Sequence, residues 1–191
     1  MPIPFLSFKK LAGDPLPITM TGVRAGERLL QLGIDSPKLI ATLAAKVGMN
    51  GTAAHVVTSD ADAERVRDAA AREGALIDVK MTGTLRSFPF EDESFDLVVI
   101  HSMSGLIAGM APYTRVRCLE EAHRVLRPGG RTLVIEPEPR GGLAGIFRSH
   151  PVDGHYLASG ETVGALKAES FKAVRILADR EGYRFVEGLR G

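Results

Sequence analysis

The sequence is short of several features that would each have pointed to a chemistry. Cysteine occurs once, at Cys118, so neither an internal disulfide nor a thiolate zinc site can form. Cys118 falls on the apolar side of a helix predicted from spacing and reads as a buried, inert thiol. An excess of one charge is also missing: 24 basic against 23 acidic residues leave a net charge of +1. That balance gives no electrostatic footprint for nucleic acid or an acidic membrane. No apolar run approaches the length of a membrane span, so none is expected. The start, MPIPFLSFKK, lacks the basic-then-apolar order of a secretory signal. A cytoplasmic protein is therefore the expectation. No internal repeat is visible. There is no G-x-G-x-x-G, which argues against a nicotinamide-dependent oxidoreductase. His150 and His155 stand five apart with no third ligand in view, so no metal site is expected.

What is there is an alternation. At 191 residues the chain suits one domain with a substantial core. Residues 1–22 carry Pro2, Pro4, Pro15, Pro17, Gly13 and Gly22 and read as an extended N-terminal arm. Its apolar residues would let it pack over the body or serve as a lid or partner-binding strap. Residues 23–191 read as one domain. Leu29–Leu32 is a candidate first strand. Ser36 and Pro37 then give an N-cap and first-turn signal for a helix closing at Gly48. Ala53–Thr58, Ala61–Glu73 and Leu76–Met81 follow as strand, helix and strand. Phe95–Ile100 is a β-branched run of the kind buried on both faces. Val116, Leu119, His123 and Leu126 recur at helical spacing, Arg127-Pro128-Gly129-Gly130 stops that helix, and Thr132–Ile135 is the next strand. Residues 138–168 read as a glycine-rich loop. Phe171, Val174, Leu177 and Ala178 describe a helix, and Gly182–Val186 a last strand. The fold class is α/β, a mostly parallel sheet covered by helices on both faces.

The phrases PFEDESFDLVV (residues 89–99) and EEAHRVLRPGGRTLVIEP (residues 120–137) resemble the class I S-adenosylmethionine-dependent methyltransferases. The likeness is greatest to the subgroup of ubiquinone- and menaquinone-biosynthesis methyltransferases, and it covers roughly Gly26 to Pro137. It implies a Rossmann-like fold, S-adenosylmethionine as cofactor with S-adenosylhomocysteine as product, and a small-molecule acceptor. The family normally carries a further antiparallel strand at the C-terminus. That strand set looks shortened here: the last strand is missing, the arm at residues 1–22 replaces it, or a partner chain covers the edge, which leaves a homodimer as a possibility.

Ligands of open α/β sheets lie outside the carboxyl ends of the strands, so residues just after each strand are the site candidates. After the first strand the family has an acidic residue and then G-x-G-x-G. This chain has Gln31 at the acidic place and keeps Gly33, with Asp35 and Pro37 at the second and third glycines. Asp35 would either face the cofactor or, with Ser36 and Pro37, simply start a helix; aspartate tolerates the left-handed backbone that the glycine would adopt. After the second strand, Asp60 would accept hydrogen bonds from the ribose hydroxyls, with Ala61 beside the adenine. Its alternative is the N-cap of the next helix. Thr84 and Leu85 follow the third strand and would meet the adenine through a hydroxyl and a backbone N–H. His101 ends the fourth strand, near the methyl-transfer centre, as cofactor contact and candidate general base. Glu136, with His150, His155 and Tyr156 from the expected substrate cover at 138–168, would contact the acceptor.

Two functions fit these residues. One is a small-molecule methyltransferase, which needs little more than alignment and exclusion of water around an activated donor. The other is a methyltransferase-like binding or regulatory module that has lost catalysis, motivated by Gln31, Asp35, Pro37 and Thr84. A left-handed Asp35 beneath an open pocket favours the first; a filled pocket favours the second.

Overall fold

The computed structural model describes residues 14–138, 156 and 160–191. Seven strands form one sheet: β1 (Arg28–Leu32), β2 (Thr52–Val57), β3 (Asp78–Met81), β4 (Phe95–His101), β5 (Leu126–Pro137), β6 (Lys172–Arg180) and β7 (Tyr183–Leu189). Their spatial order is β3-β2-β1-β4-β5-β7-β6. The first five run parallel, and β7 lies antiparallel between β5 and β6. The chain winds outward from β1 in one direction, returns, and winds outward from β4 in the other. The reversal between β1 and β4 is where such a sheet opens a crevice for ligand.

The helices follow the signals in the sequence. Helix α1 (Leu16–Thr21) starts on proline and ends at Gly22 in the left-handed conformation. Helix α2 (Pro37–Val47) is capped by Ser36, whose hydroxyl accepts from the Leu39 N–H at 3.3 Å, with Pro37 at its first position. Helix α3 (Asp60–Glu73) closes on left-handed Gly74. Its N-cap is Ser59, not Asp60: the Ser59 hydroxyl accepts from the Asp62 N–H and leaves Asp60 one residue inside the helix. Helices α4 (Leu106–Gly109), α5 (Pro112–Val125) and α6 (Glu161–Ala168) follow among the described residues.

Two layers of core result. Leu29, Leu97, Val99, Leu133, Ile135 and Phe185 point to the side of α1 and α2. Leu30, Leu32, Val98, Ile100, Val134 and Val186 point to the side of α5 and α6. Alternation within each strand sends successive residues to opposite faces, and both faces of the central strands are covered, so β1, β2, β4 and the second half of β5 are largely apolar. Burying each such side chain is worth about 1.5–3 kcal/mol.

Three expectations are corrected. The N-terminal arm is not extended throughout: its described part forms α1, with Ile18 buried against the first layer and Arg131 donating to the Thr21 and Gly22 carbonyls. The segment at 171–178 is not a helix but strand β6, and the preceding helix is α6, inside the stretch read as loop. The sheet therefore carries an antiparallel β6–β7 pair where a shortened strand set was expected. Helix α5 does stop before Arg127-Pro128-Gly129-Gly130, but those residues already belong to β5, entering through a bulge opposite Phe95 and Leu97.

Part of the stretch that carries the family likeness sits at the end of the sheet opposite the strand C-termini. Glu121 accepts from the Phe88 N–H at 2.8 Å, and Arg124 donates to the Phe88 and Phe90 carbonyls, to Asp92 and to Glu121. Asp96 accepts from the Arg28 N–H, the Arg28 guanidinium and the Arg127 guanidinium. These contacts tie the loop before β4 to α5 and to the start of β5. The two phrases belong together because they are two halves of one clasp.

Candidate functional site

At the switch point, β1 ends in Leu32 and turns through Gly33. Its φ of +81° favours glycine, and a Cβ there would run into the carbonyl oxygen of His101 and the side chain of Leu106. No other residue lets the turns after β1 and β4 approach so closely. Asp35 does not take up the left-handed conformation considered for it: it is absent from the described non-glycine residues with positive φ. Its carboxylate instead crosses the crevice. One oxygen accepts from the Met103 N–H at 2.5 Å and the other from the Ser104 N–H at 3.0 Å. Asp35 thus joins the turn after β1 to the turn after β4.

Below these turns lies a polar row within the apolar first layer. Gln31 is fully buried; its amide nitrogen donates to the Ile40 carbonyl at 3.0 Å. That bond sets the amide orientation, so its oxygen accepts from His101 Nε2–H at 3.0 Å. His101 is 2% exposed, and burial holds its pKa down to about 4. The ring is neutral, with one nitrogen committed to Gln31, and sits in the core rather than on the rim where a substrate-facing base would stand. Across from Gln31 in register is His55, also fully buried, with neither ring nitrogen hydrogen-bonded. Burial first, then the neighbouring His101, pushes its pKa down to about 3.

The other candidates divide. Asp60 and Ala61 are exposed at the start of α3, beside the carboxyl end of β2, as a ribose-facing pair would need to be. The Thr84 hydroxyl accepts from Arg86 at 3.2 Å, and Leu85 turns its side chain into the second core layer. Glu136, at the end of β5, lies on the α6 side of the sheet. The Thr162 hydroxyl donates to it at 2.5 Å and is itself paired with the Tyr156 hydroxyl at 2.6 Å. The Arg115 guanidinium lies 4.6 Å from the centre of the Tyr156 ring. Burial raises Glu136 to about 7, against the opposing pull of the Thr162 hydrogen bond and of Arg184. Glu136 and Tyr156 are brought together through Thr162, while His101 lies on the opposite face of the sheet. His150 and His155 lie outside the described residues, as does most of the expected cover at 138–168. Among the described residues no cluster of three or more histidine, cysteine or acidic side chains is arranged to hold a metal. No described helix is long and apolar enough to cross a membrane. Cys118 is buried, and burial lifts its thiol pKa to about 12.

Sequence reasoning did not single out Thr162, His55 or the backbone donor at Ser104. A signal did exist for the polar row. Gln31, His55 and His101 are each a polar residue inside an otherwise apolar strand, and such residues in buried strands need partners.

As a test of the cofactor, the residues give a divided answer. Left-handed Gly33 and exposed Asp60 suit an adenosyl ligand lying across β1 and β2. The Asp35 bridge stands in the crevice between β1 and β4. A groove between α2 and α3, lined by Lys38, Arg65, Asp68 and Arg72, is walled by helix residues alone and carries both charge signs.

A family model described as a methyltransferase domain matches residues 31–134, more than half of the chain. Among curated proteins, a ubiquinone/menaquinone biosynthesis C-methyltransferase from a Marinomonas strain is 31% identical over 121 residues, covering 62% of this chain and 46% of that protein. The counterpart from Hydrogenovibrio crunogenus is 33% identical over 124 residues, covering 62% and 45%. The chain therefore spans less than half the length of these relatives. In three dimensions it is similar to a SAM-dependent methyltransferase from Aquifex aeolicus, with a TM-score of 0.70 at 15% identity over 92% of this chain and 88% of the other. It is also similar to the [4+2]-cyclase SpnF, with a TM-score of 0.65 at 17% identity over 91% and 78%. At these identities the likeness is one of fold.

Proposed function

The chain belongs to the methyltransferase-domain family, and from that premise we propose that it transfers a methyl group from S-adenosylmethionine to a small-molecule acceptor. The observation that carries the reading is the switch point itself: left-handed Gly33 between β1 and β4, with Asp60 exposed at the next strand end. In this reading Asp60 holds the ribose and the Gly33 turn lets the ligand approach the backbone. Glu136, Thr162 and Tyr156 border the acceptor side. The cofactor supplies an activated methyl group, so the protein's task is alignment and exclusion of water. The names of the curated relatives suggest a finer reading, with a carbon atom of a quinone-biosynthesis intermediate as acceptor. The buried, Gln31-bound His101 is assigned to holding the floor of the site, not to removing a proton.

The Asp35 bridge favours a second reading, a family member that binds without catalysis. Thermal unfolding with S-adenosylmethionine and S-adenosylhomocysteine separates the first step. A ligand at about 100 times its dissociation constant adds roughly 2.7 kcal/mol, a rise of roughly 5–10 °C for a domain of this size. Binding followed by transfer of labelled methyl to a quinol precursor supports the enzyme. Binding with no transfer to any acceptor supports the module. No shift at millimolar ligand rejects the cofactor.

A further inference from the structure

We propose that the backbone N–H groups of Met103 and Ser104 form a carboxylate site, and that Asp35 fills it with the chain's own carboxylate until an amino-acid-bearing nucleoside takes it over. The inference rests on the cofactor reading above and names how that site is regulated.

Three observations carry it. Both Asp35 oxygens are used, one on each N–H, at 2.5 and 3.0 Å. Two convergent backbone donors matched to two carboxylate oxygens recognise that group, whichever molecule brings it. The bridge lies across the β1–β4 reversal, where a ligand of this fold enters. Finally, Asp35 does not hold a backbone conformation that its position requires. Its φ is negative, and the left-handed residue of the turn is Gly33, so the α2 start is already served by Ser36 and Pro37. The carboxylate is therefore not explained by capping. It crosses to the opposite turn and occupies donors that an incoming zwitterion with its own carboxylate would use. Ligand entry exchanges one carboxylate for another, and affinity is lowered by the free energy of the internal bridge.

The experiment compares the unaltered chain with Asp35→Gly and Asp35→Asn, each first checked for cooperative unfolding. Isothermal titration uses two probes: S-adenosylhomocysteine, which has the amino-acid tail, and methylthioadenosine, which lacks it. Asp35→Gly is expected to bind S-adenosylhomocysteine about tenfold more tightly, which corresponds to about 1.4 kcal/mol. Asp35→Asn should show a smaller gain in the same direction, because its amide offers one acceptor and sets N–H against N–H at the other. Methylthioadenosine should gain no more than about twofold. In the ligand-free chain the Met103 and Ser104 amides should exchange slowly, and in Asp35→Gly quickly. Equal or weaker S-adenosylhomocysteine binding by the variants, with binding by the unaltered chain intact, overturns the proposal and leaves the cofactor reading standing. So does an equal gain for both probes, which would make Asp35 a steric obstacle only. Binding of neither probe to any of the three chains rejects the cofactor and this site together.

Discussion

At the scale of single residues, burial shifts Glu136, His55 and His101 toward their uncharged forms. Glu136 is the carboxyl among them. Its carboxyl is raised from 4.5 to about 7, chiefly by burial. Below about pH 4.5 the folded and unfolded chains are both protonated there. Between pH 4.5 and 7 the unfolded chain releases a proton that the folded chain keeps, so folding loses stability as pH rises, and the loss is complete above pH 7. The full effect is at most about 3 kcal/mol. His55 and His101 work the other way. Their pKa values are lowered to about 3 and about 4, so they favour folding above pH 6.5, and that contribution is lost as pH falls. A comparison of Glu136→Gln with the unaltered chain cancels the two histidines, since both proteins carry them. Glutamine mimics the protonated carboxyl. Urea unfolding should give the two chains similar stability at about pH 4 and an advantage for the glutamine variant of roughly 2–3 kcal/mol at pH 8.5. A less stable glutamine variant at pH 8.5 would mean that Arg184 holds Glu136 ionised.

At the scale of elements, the clasp around Arg124 joins the first recognisable phrase to the first half of the second, at the end of the sheet away from the site. Arg124 binds two carbonyls and two carboxylates on the loop before β4 and on its own helix, and its side chain is 31% exposed. Arg124→Ala would leave the Phe88 carbonyl and Glu121 short of partners, at an expected cost of about 2–3 kcal/mol. Amide exchange should accelerate across residues 88–93 while β1 and β2 stay protected. Uniform acceleration would show that the loop is not a separate unit. The same elements show why some of the fold was legible and some was not. Ser36-Pro37 and the run Phe95–Ile100 announce a helix start and a buried strand because local chemistry alone decides them. Strand β6 misleads because its pairing with β7 shifts register twice and Ala173 adopts a φ of +47°. Each bulge breaks the alternation, and Phe171, Val174, Leu177 and Ala178 are left at helical spacing. The placement of Gly33 and Asp60 just past the ends of β1 and β2 was readable from order along the chain. The Gln31–His101 pair and the Asp35 bridge join residues about seventy positions apart and depend on β1 lying beside β4.

At the scale of the whole molecule, the question is what the two sheet edges do. Strand β3 is four residues long, too short to template another chain over any length. Strand β6 is longer, and as an open edge it would invite pairing. Its sequence and shape oppose that. Lys172, Arg175 and Arg180 are exposed along it, two register shifts interrupt its hydrogen-bonding line, and Arg175 is turned back onto Glu187 of β7. Bulges and edge cations are the devices by which sheets avoid edge-to-edge association. Ile176, 43% exposed, is the one large apolar side chain on β6 that remains open, and a single such residue is not an interface. The homodimer that an uncovered edge would favour is therefore not expected from β6. Light scattering at about 50 µM should give the mass of one chain, 20.5 kDa. Arg175→Val, which removes a charge and lengthens the apolar edge, should shift it toward the dimer. A dimer from the unaltered chain that survives Ile176→Lys would place the contact on another surface. One that Ile176→Lys dissolves would show that the bulges do not protect this edge.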